Sequence, residues 1–163
     1  MKDSPVIDGA GDASGLRIGV IVSAYHASVT GPLREAALAA LSLANARMVT
    51  VITLPGAFEI PLVARRAAES EAFDALVCLG CIIRGETPHF DYIASAVAHG
   101  ITTASQATGV PIAFGVLTTN TQEEAQARAG DGPTNKGWEA AMAAVQSANI
   151  VRALPPRGGG AAD

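Results

Sequence analysis

A chain of 163 residues, 49% hydrophobic and 16% charged, is long enough for one domain with a buried core and too apolar to stay disordered. Its formal charge of −4 and pI near 5.3 accompany eleven Lys and Arg scattered singly or in pairs, which leaves no basic footprint for nucleic acid. No apolar run approaches the roughly 18 residues needed to span a bilayer, and no basic start leads into an apolar run with a cleavage site, so a cytoplasmic protein without a membrane partner is expected.

Residues 1–15 are small, polar and glycine-containing, and residues 155–163, reading PPRGGGAAD, are similar. Both are expected to be flexible segments around a single domain at 16–154. Within it, residues 16–22 read as a strand, and Leu33, Ala36, Ala37, Ala40, Leu41 and Ala44 recur at helical spacing. A second strand is expected over 48–54, a helix over 61–70 and a third strand over 75–83. That third strand lacks polar alternation, as a strand buried on both faces of a parallel sheet does. A helix follows over 88–108, ended by Gly109, and then a fourth strand over 110–117. Thr121 and Glu124 predict a capping box opening a short helix. Trp138, Ala141, Met142, Val145 and Ala148 line one stripe of a last helix. Strand and helix alternate throughout, which predicts an α/β fold with a mainly parallel sheet covered on both faces. Alanine is abundant and aromatics make up only 4%, so the helices should pack closely and extra burial between subunits would help.

The third strand runs into Arg84-Gly85-Glu86-Thr87-Pro88-His89, where the apolar pattern breaks. Thr87 followed by Pro88 reads as an N-cap hydroxyl with proline at the first helical position. The free N–H groups of such a helix start, beside a glycine that lets the backbone come close, favour a phosphate or carboxylate. His89 then falls in the first turn, where an imidazole can take a proton and return it. The end of a parallel strand is also where open α/β sheets bind ligands.

Other stretches carry weaker signals. Cys78 and Cys81 have CxxC spacing, which fits a redox pair or metal ligands, but three-residue spacing inside a strand sends the side chains to opposite faces and favours two plain buried thiols. In Pro55-Gly56-Ala57-Phe58-Glu59-Ile60-Pro61, small residues admit a ligand and Glu59 could accept from hydroxyls; a turn with Phe58 in the core and Glu59 at a helix N-terminus fits as well. Tyr25, followed by His26, could stack on a planar ring or simply sit exposed. Arg128 and Lys136 read first as solvated charges near helix ends. His99 reads as a surface helical residue and Trp138 as a packing anchor.

GCIIRGETPHFDY, together with PGAFEIP, FGVLTTNTQEEAQARAG and NKGWEAA, closely resembles the 6,7-dimethyl-8-ribityllumazine synthase family in order and spacing over residues 18–152. The resemblance implies a flavodoxin-like three-layer sandwich, with a four-stranded parallel sheet flanked by helices. It implies homopentamers with sites between subunits, and in some members a sixty-subunit icosahedral shell. It also implies condensation of two small-molecule substrates, 5-amino-6-(D-ribitylamino)uracil and 3,4-dihydroxy-2-butanone 4-phosphate, without metal or organic cofactor. Riboflavin synthase is the implied functional partner.

Carried over by position, Tyr25 stands where an aromatic stacks on the pyrimidine, and Ala57, Phe58 and Glu59 match the segment that holds the ribityl chain. Cys81, Ile82 and Ile83 match backbone contacts to the pyrimidine, and Lys136 a lysine near it. Gly85, Glu86 and Thr87 match the phosphate cradle, Arg128 the arginine that pairs with that phosphate, and His89 the histidine credited with proton transfer. Phe114 is expected to enter from an adjacent subunit. Two departures stand out: Ala24-Tyr25-His26 replaces the usual Arg-Phe-Asn, and Pro133 alters a loop whose length, Gly130 to Gly137, is the one common in shell-forming members.

Overall fold

The computed structural model describes residues 4–156. Four parallel strands, β1 (Arg17–Ser23), β2 (Met48–Leu54), β3 (Ala75–Ile83) and β4 (Ile112–Thr119), form one sheet in the order β2-β1-β3-β4. The helices are α1 (Ala27–Leu43), α2 (Ile60–Glu69), α3 (His89–Thr108), α4 (Gln122–Arg128) and α5 (Lys136–Ala153). This is the expected three-layer α/β fold. No helix among the described residues is long and apolar enough to cross a membrane.

Period-two alternation along the central strands feeds two separate cores. Val77, Leu79 and Cys81 of β3 face Leu33, Ala37, Leu41, Ala141 and Val145 on α1 and α5. Leu76, Cys78 and Ile82 face Ile60, Ala64, Val97 and Ile101 on α2 and α3. β3 is buried along almost its whole length, whereas the edge strands β2 and β4 keep exposed positions. The alanine-rich helices do approach closely. A side chain at Gly137 would run into the backbone of Leu33, so α5 can lie on α1 only with glycine there. A Cβ on Gly100 would come within 2.6 Å of Pro61, which presses α3 onto α2 in the same way.

At the lower end of the sheet Asp74 accepts from the backbone N–H of Arg17 at 2.7 Å and from its Nε and Nη2 at 3.2 and 3.1 Å. These bonds hold the Asp74 carboxyl below its usual range and raise the guanidinium in turn. Ahead of β1, Ala13 is fully buried and the Asn149 amide donates to the carbonyls of Ala10 and Asp12 at 2.8 Å, so this stretch lies along α5. From residue 157 onward the expected C-terminal tail lies outside the described residues.

Besides one-residue shifts of β1 and α2, three element boundaries differ from expectation. α1 begins at Ala27, ahead of the apolar stripe, and contains Pro32; the carbonyl this proline leaves without a donor belongs to exposed Ser28, where water can reach it. β4 starts two residues later than predicted because 109 and 110 are tied to the end of α3. Gly109 takes a left-handed turn, the Ser105 hydroxyl donates to the Val110 carbonyl at 2.8 Å, and Val110 N–H donates to the Thr108 hydroxyl at 3.3 Å. Finally, Thr87 does not cap α3. The N–H groups of Asp91 and Tyr92 both donate to the Pro88 carbonyl, which makes Pro88 the N-cap, without a side-chain bond to the helix.

Candidate active site

β1, β2 and β3 end side by side, and the chain segments beyond them stay paired. Ala24 N–H donates to the Leu54 carbonyl at 2.8 Å and Tyr25 N–H to the Pro55 carbonyl at 3.0 Å. This extension sets Tyr25 beside the turn Ala57–Glu59, a single 3-10 turn that hands over to α2. β3 then delivers Cys81 to Ile83 and the following turn. Together they enclose a pocket of about 510 Å³ lined by Tyr25, His26, Gly56, Ala57, Phe58, Glu59, Cys81, Ile82, Ile83, Gly85, Thr87, His89, Phe90 and Ile93.

Most of the residues singled out in the sequence therefore line one pocket. Glu86 lies between Gly85 and Thr87 on the same turn without lining it. Tyr25 is 69% and Phe58 61% exposed, so both rings stand at the rim, and the reading of Phe58 as a core residue does not hold. Glu59 is both the N-cap of α2 and a pocket wall, with its carboxylate turned back over Gly56. His26 meets Tyr25 edge-on, with ring centroids 4.5 Å apart. It sits in a left-handed conformation at φ 60°, where the first residue before α1 must turn sharply away from β1.

His89 is the first residue of α3 and exposed, at the positive end of a twenty-residue helix that has no side-chain cap. With the Asp91 and Tyr92 amides given to the Pro88 carbonyl, those of His89 and Phe90 are left unclaimed by a capping side chain, and a Cβ placed on Gly85 would meet nothing within 4 Å. An anion has room and donors here. The guanidinium closest in sequence is already engaged: Arg84 bonds Asp91 and Asn120 and lies 4.4 Å from the centre of the Phe90 ring.

Phe114, Arg128 and Lys136 are not in this pocket. They line a second one, about 460 Å³, along the edge strand β4 with Gly115, Leu117, Thr118, Glu139 and Ala143. Phe114 is 46% exposed on β4. The Thr121–Glu124 box forms, with Glu124 N–H donating to the Thr121 hydroxyl at 3.1 Å, and the helix it opens ends on Arg128. That guanidinium donates to the Glu124 carbonyl at 3.0 Å and has no carboxylate partner among the described residues. Asn135 caps α5 by accepting from Gly137 N–H at 2.7 Å, and Lys136 Nζ lies 2.7 Å from Glu139.

The cysteines fall on opposite faces, one in each core, and burial pushes the Cys78 thiol up to about 12 and the Cys81 thiol to about 11. Both are poor thiolates. Among the described residues no cluster of three or more His, Cys, Asp or Glu could hold a metal ion.

The sequence signals at Phe90 and Ile93 did not mark them as pocket walls, whereas Gly56 belongs to the stretch of small residues expected to admit a ligand. Phe90, Ile93, Val97, Ile101 and Ala104 follow one helical stripe, which carries the signal; its first two members pack against the core and line the pocket as well.

The family model described as 6,7-dimethyl-8-ribityllumazine synthase matches residues 15–152. A protein of Syntrophus aciditrophicus named 6,7-dimethyl-8-ribityllumazine synthase is 46% identical over 151 residues, covering 91% of this chain and 98% of that protein.

Proposed function

The chain belongs to the 6,7-dimethyl-8-ribityllumazine synthase family and is a transferase of riboflavin biosynthesis; from that premise we propose that it joins its two substrates in a site completed by a second copy of the chain. The substrates are 5-amino-6-(D-ribitylamino)uracil and 3,4-dihydroxy-2-butanone 4-phosphate. One observation carries the reading: Gly85, Thr87 and His89 line one pocket while Arg128, Lys136 and Phe114 line another that shares no residue with it. A phosphate on the 85–87 turn needs a cation, and Arg84 is engaged elsewhere. Arg128, without a carboxylate partner, supplies a bidentate fork when a neighbour brings its β4 edge across the first pocket.

In that arrangement Tyr25 stacks on the pyrimidine of one substrate and Ala57, Phe58 and Glu59 hold its ribityl chain, Glu59 accepting from hydroxyls. Backbone groups of Cys81, Ile82 and Ile83 meet the ring edge, with the neighbour's counterparts of Phe114 and Lys136 closing over it. Gly85, Glu86 and Thr87 cradle the phosphate through backbone donors.

The amine of the pyrimidine attacks the ketone and water leaves, forming an imine. Phosphate then departs by elimination, the enol tautomerises, and the ribityl-bearing nitrogen closes the ring with loss of a second water. His89 is positioned to relay protons between these steps. Holding both substrates in one cleft supplies most of the acceleration.

The assembly is a pentamer in the cytoplasm, handing its product to riboflavin synthase. The loop from Gly130 to Gly137, anchored by Asn135 on the Gly130 carbonyl at 2.8 Å, supports further assembly into a shell. Mixing the purified chain with both substrates and following lumazine fluorescence tests the reaction; a rate no higher than the spontaneous one would overturn it. Sedimentation velocity separates pentamer from shell.

A further inference from the structure

We propose that Arg84 is a positioning residue for this reaction: it clamps the phosphate-binding turn and the His89 end of α3 to the end of β4. The inference rests on the reading of the 85–87 turn given above.

The clamp is built from five contacts. Arg84 N–H donates to the Thr119 carbonyl at 2.9 Å, which extends the pairing of β3 with β4 by one residue. Its Nε donates to Asn120 Oδ1 at 3.2 Å. Nη2 and Nη1 donate to the two oxygens of Asp91 at 3.2 and 3.4 Å. The guanidinium carbon lies 4.4 Å from the centroid of Phe90, a wall of the first pocket. One planar group thus joins the segment after β4 to the two residues that follow His89.

Little else braces this turn. Thr87 does not cap α3, and the space around Gly85 is open. Arg84 and Asp91 are 45% and 59% exposed, and a surface pair of that kind contributes little to stability. What it fixes is geometry: a planar fork bonding two partners, Asn120 and Asp91, while stacking on a ring, which a lysine cannot reproduce. Arg84 itself does not line the pocket, so it acts through His89, Phe90 and the turn. Misplacing a positioned group by about 1 Å can cost on the order of 10²-fold in rate.

The test compares Arg84→Gln, Arg84→Lys and Asp91→Asn with the unmodified assembled protein. Arg84→Gln is expected to raise both the KM for the butanone phosphate and the inhibition constant of inorganic phosphate about tenfold, with the pyrimidine KM unchanged. Arg84→Lys should recover only a small part of this loss. The double variant with Asp91→Asn should be no worse than Arg84→Gln alone, because both remove one clamp. Kinetic constants that stay unchanged, KM values that rise equally for both substrates, or losses that add would each overturn the proposal. If Arg84→Gln fails to assemble, Arg84→Lys and Asp91→Asn carry the same readings. A wild-type protein that binds inorganic phosphate but does not accelerate the condensation would overturn the reaction and leave the clamp testable.

Discussion

The pocket at the ends of β1, β2 and β3 and the pocket along β4 are close in size and opposite in character. The first offers an apolar floor, two aromatic rings at its rim, a turn rich in free backbone and two imidazoles, while its nearest guanidinium is tied to Asp91. The second is an open groove with Arg128, Lys136 and an exposed phenylalanine. One side can receive an anion but lacks a free cation; the other has the cation but no cradle. Under the proposed shared site, dividing the charge this way would make strong attraction for phosphate depend on a neighbour's docking.

Four measurements can break or sharpen this contrast. His89→Ala, on the cradle side, should lower kcat about 10²-fold and leave a rate well above the spontaneous one, since proximity persists. A variant with no activity but normal assembly would mean that the first pocket does more chemistry than binding. Arg128→Ala, on the cation side, should raise the KM for the butanone phosphate about thirtyfold, the loss of a charge-assisted pair, with a smaller change in kcat. An unaltered KM would take Arg128 out of the site. Assembling equal amounts of these two variants together gives the third. A site is intact when its cradle comes from an Arg128→Ala chain and its cation from a His89→Ala chain, about one site in four under random mixing. Recovery to about a quarter of wild-type activity is expected, and none at all would place both halves in one chain.

The smallest effect concerns the sheet's other end, away from both pockets. Asp74 is depressed by Arg17, so its contribution is present above its ordinary value of 3.8 and fades as pH falls through the lower folded value. Asp74→Asn should cost about 1 kcal/mol in urea unfolding at neutral pH, modest because the pair is partly exposed. The gap to wild type should close in acid. A constant gap would assign the cost to packing rather than charge.

Much of the fold was legible because β2 and β3 announce themselves through branched apolar runs between clear breaks, and their bounds match expectation. α1 was only half legible: Gly31 and Pro32 interrupt its pattern, and nothing local shows that an exposed carbonyl will absorb the missing bond. The cradle was legible as a turn between strand and helix, but its cap was misplaced by one residue, because Pro88 and Thr87 compete and the Pro88 carbonyl wins both amides. Arg128 and Lys136 read as solvated charges on local grounds; within one chain Lys136 pairs with Glu139 and Arg128 bonds only the Glu124 carbonyl of its own helix among the described residues. The role proposed for them needs a neighbour's surface, which helix periodicity does not encode.

The two thiols give the molecule two different clocks. Cys78 is fully buried among α2 and α3 and is sealed from alkylation while that layer is closed, whereas Cys81 lines the first pocket and is reached from it. Labelling rates followed by mass spectrometry would therefore time the lifting of the α2 and α3 layer at Cys78 and the covering of the pocket at Cys81, with no probe introduced and no residue changed.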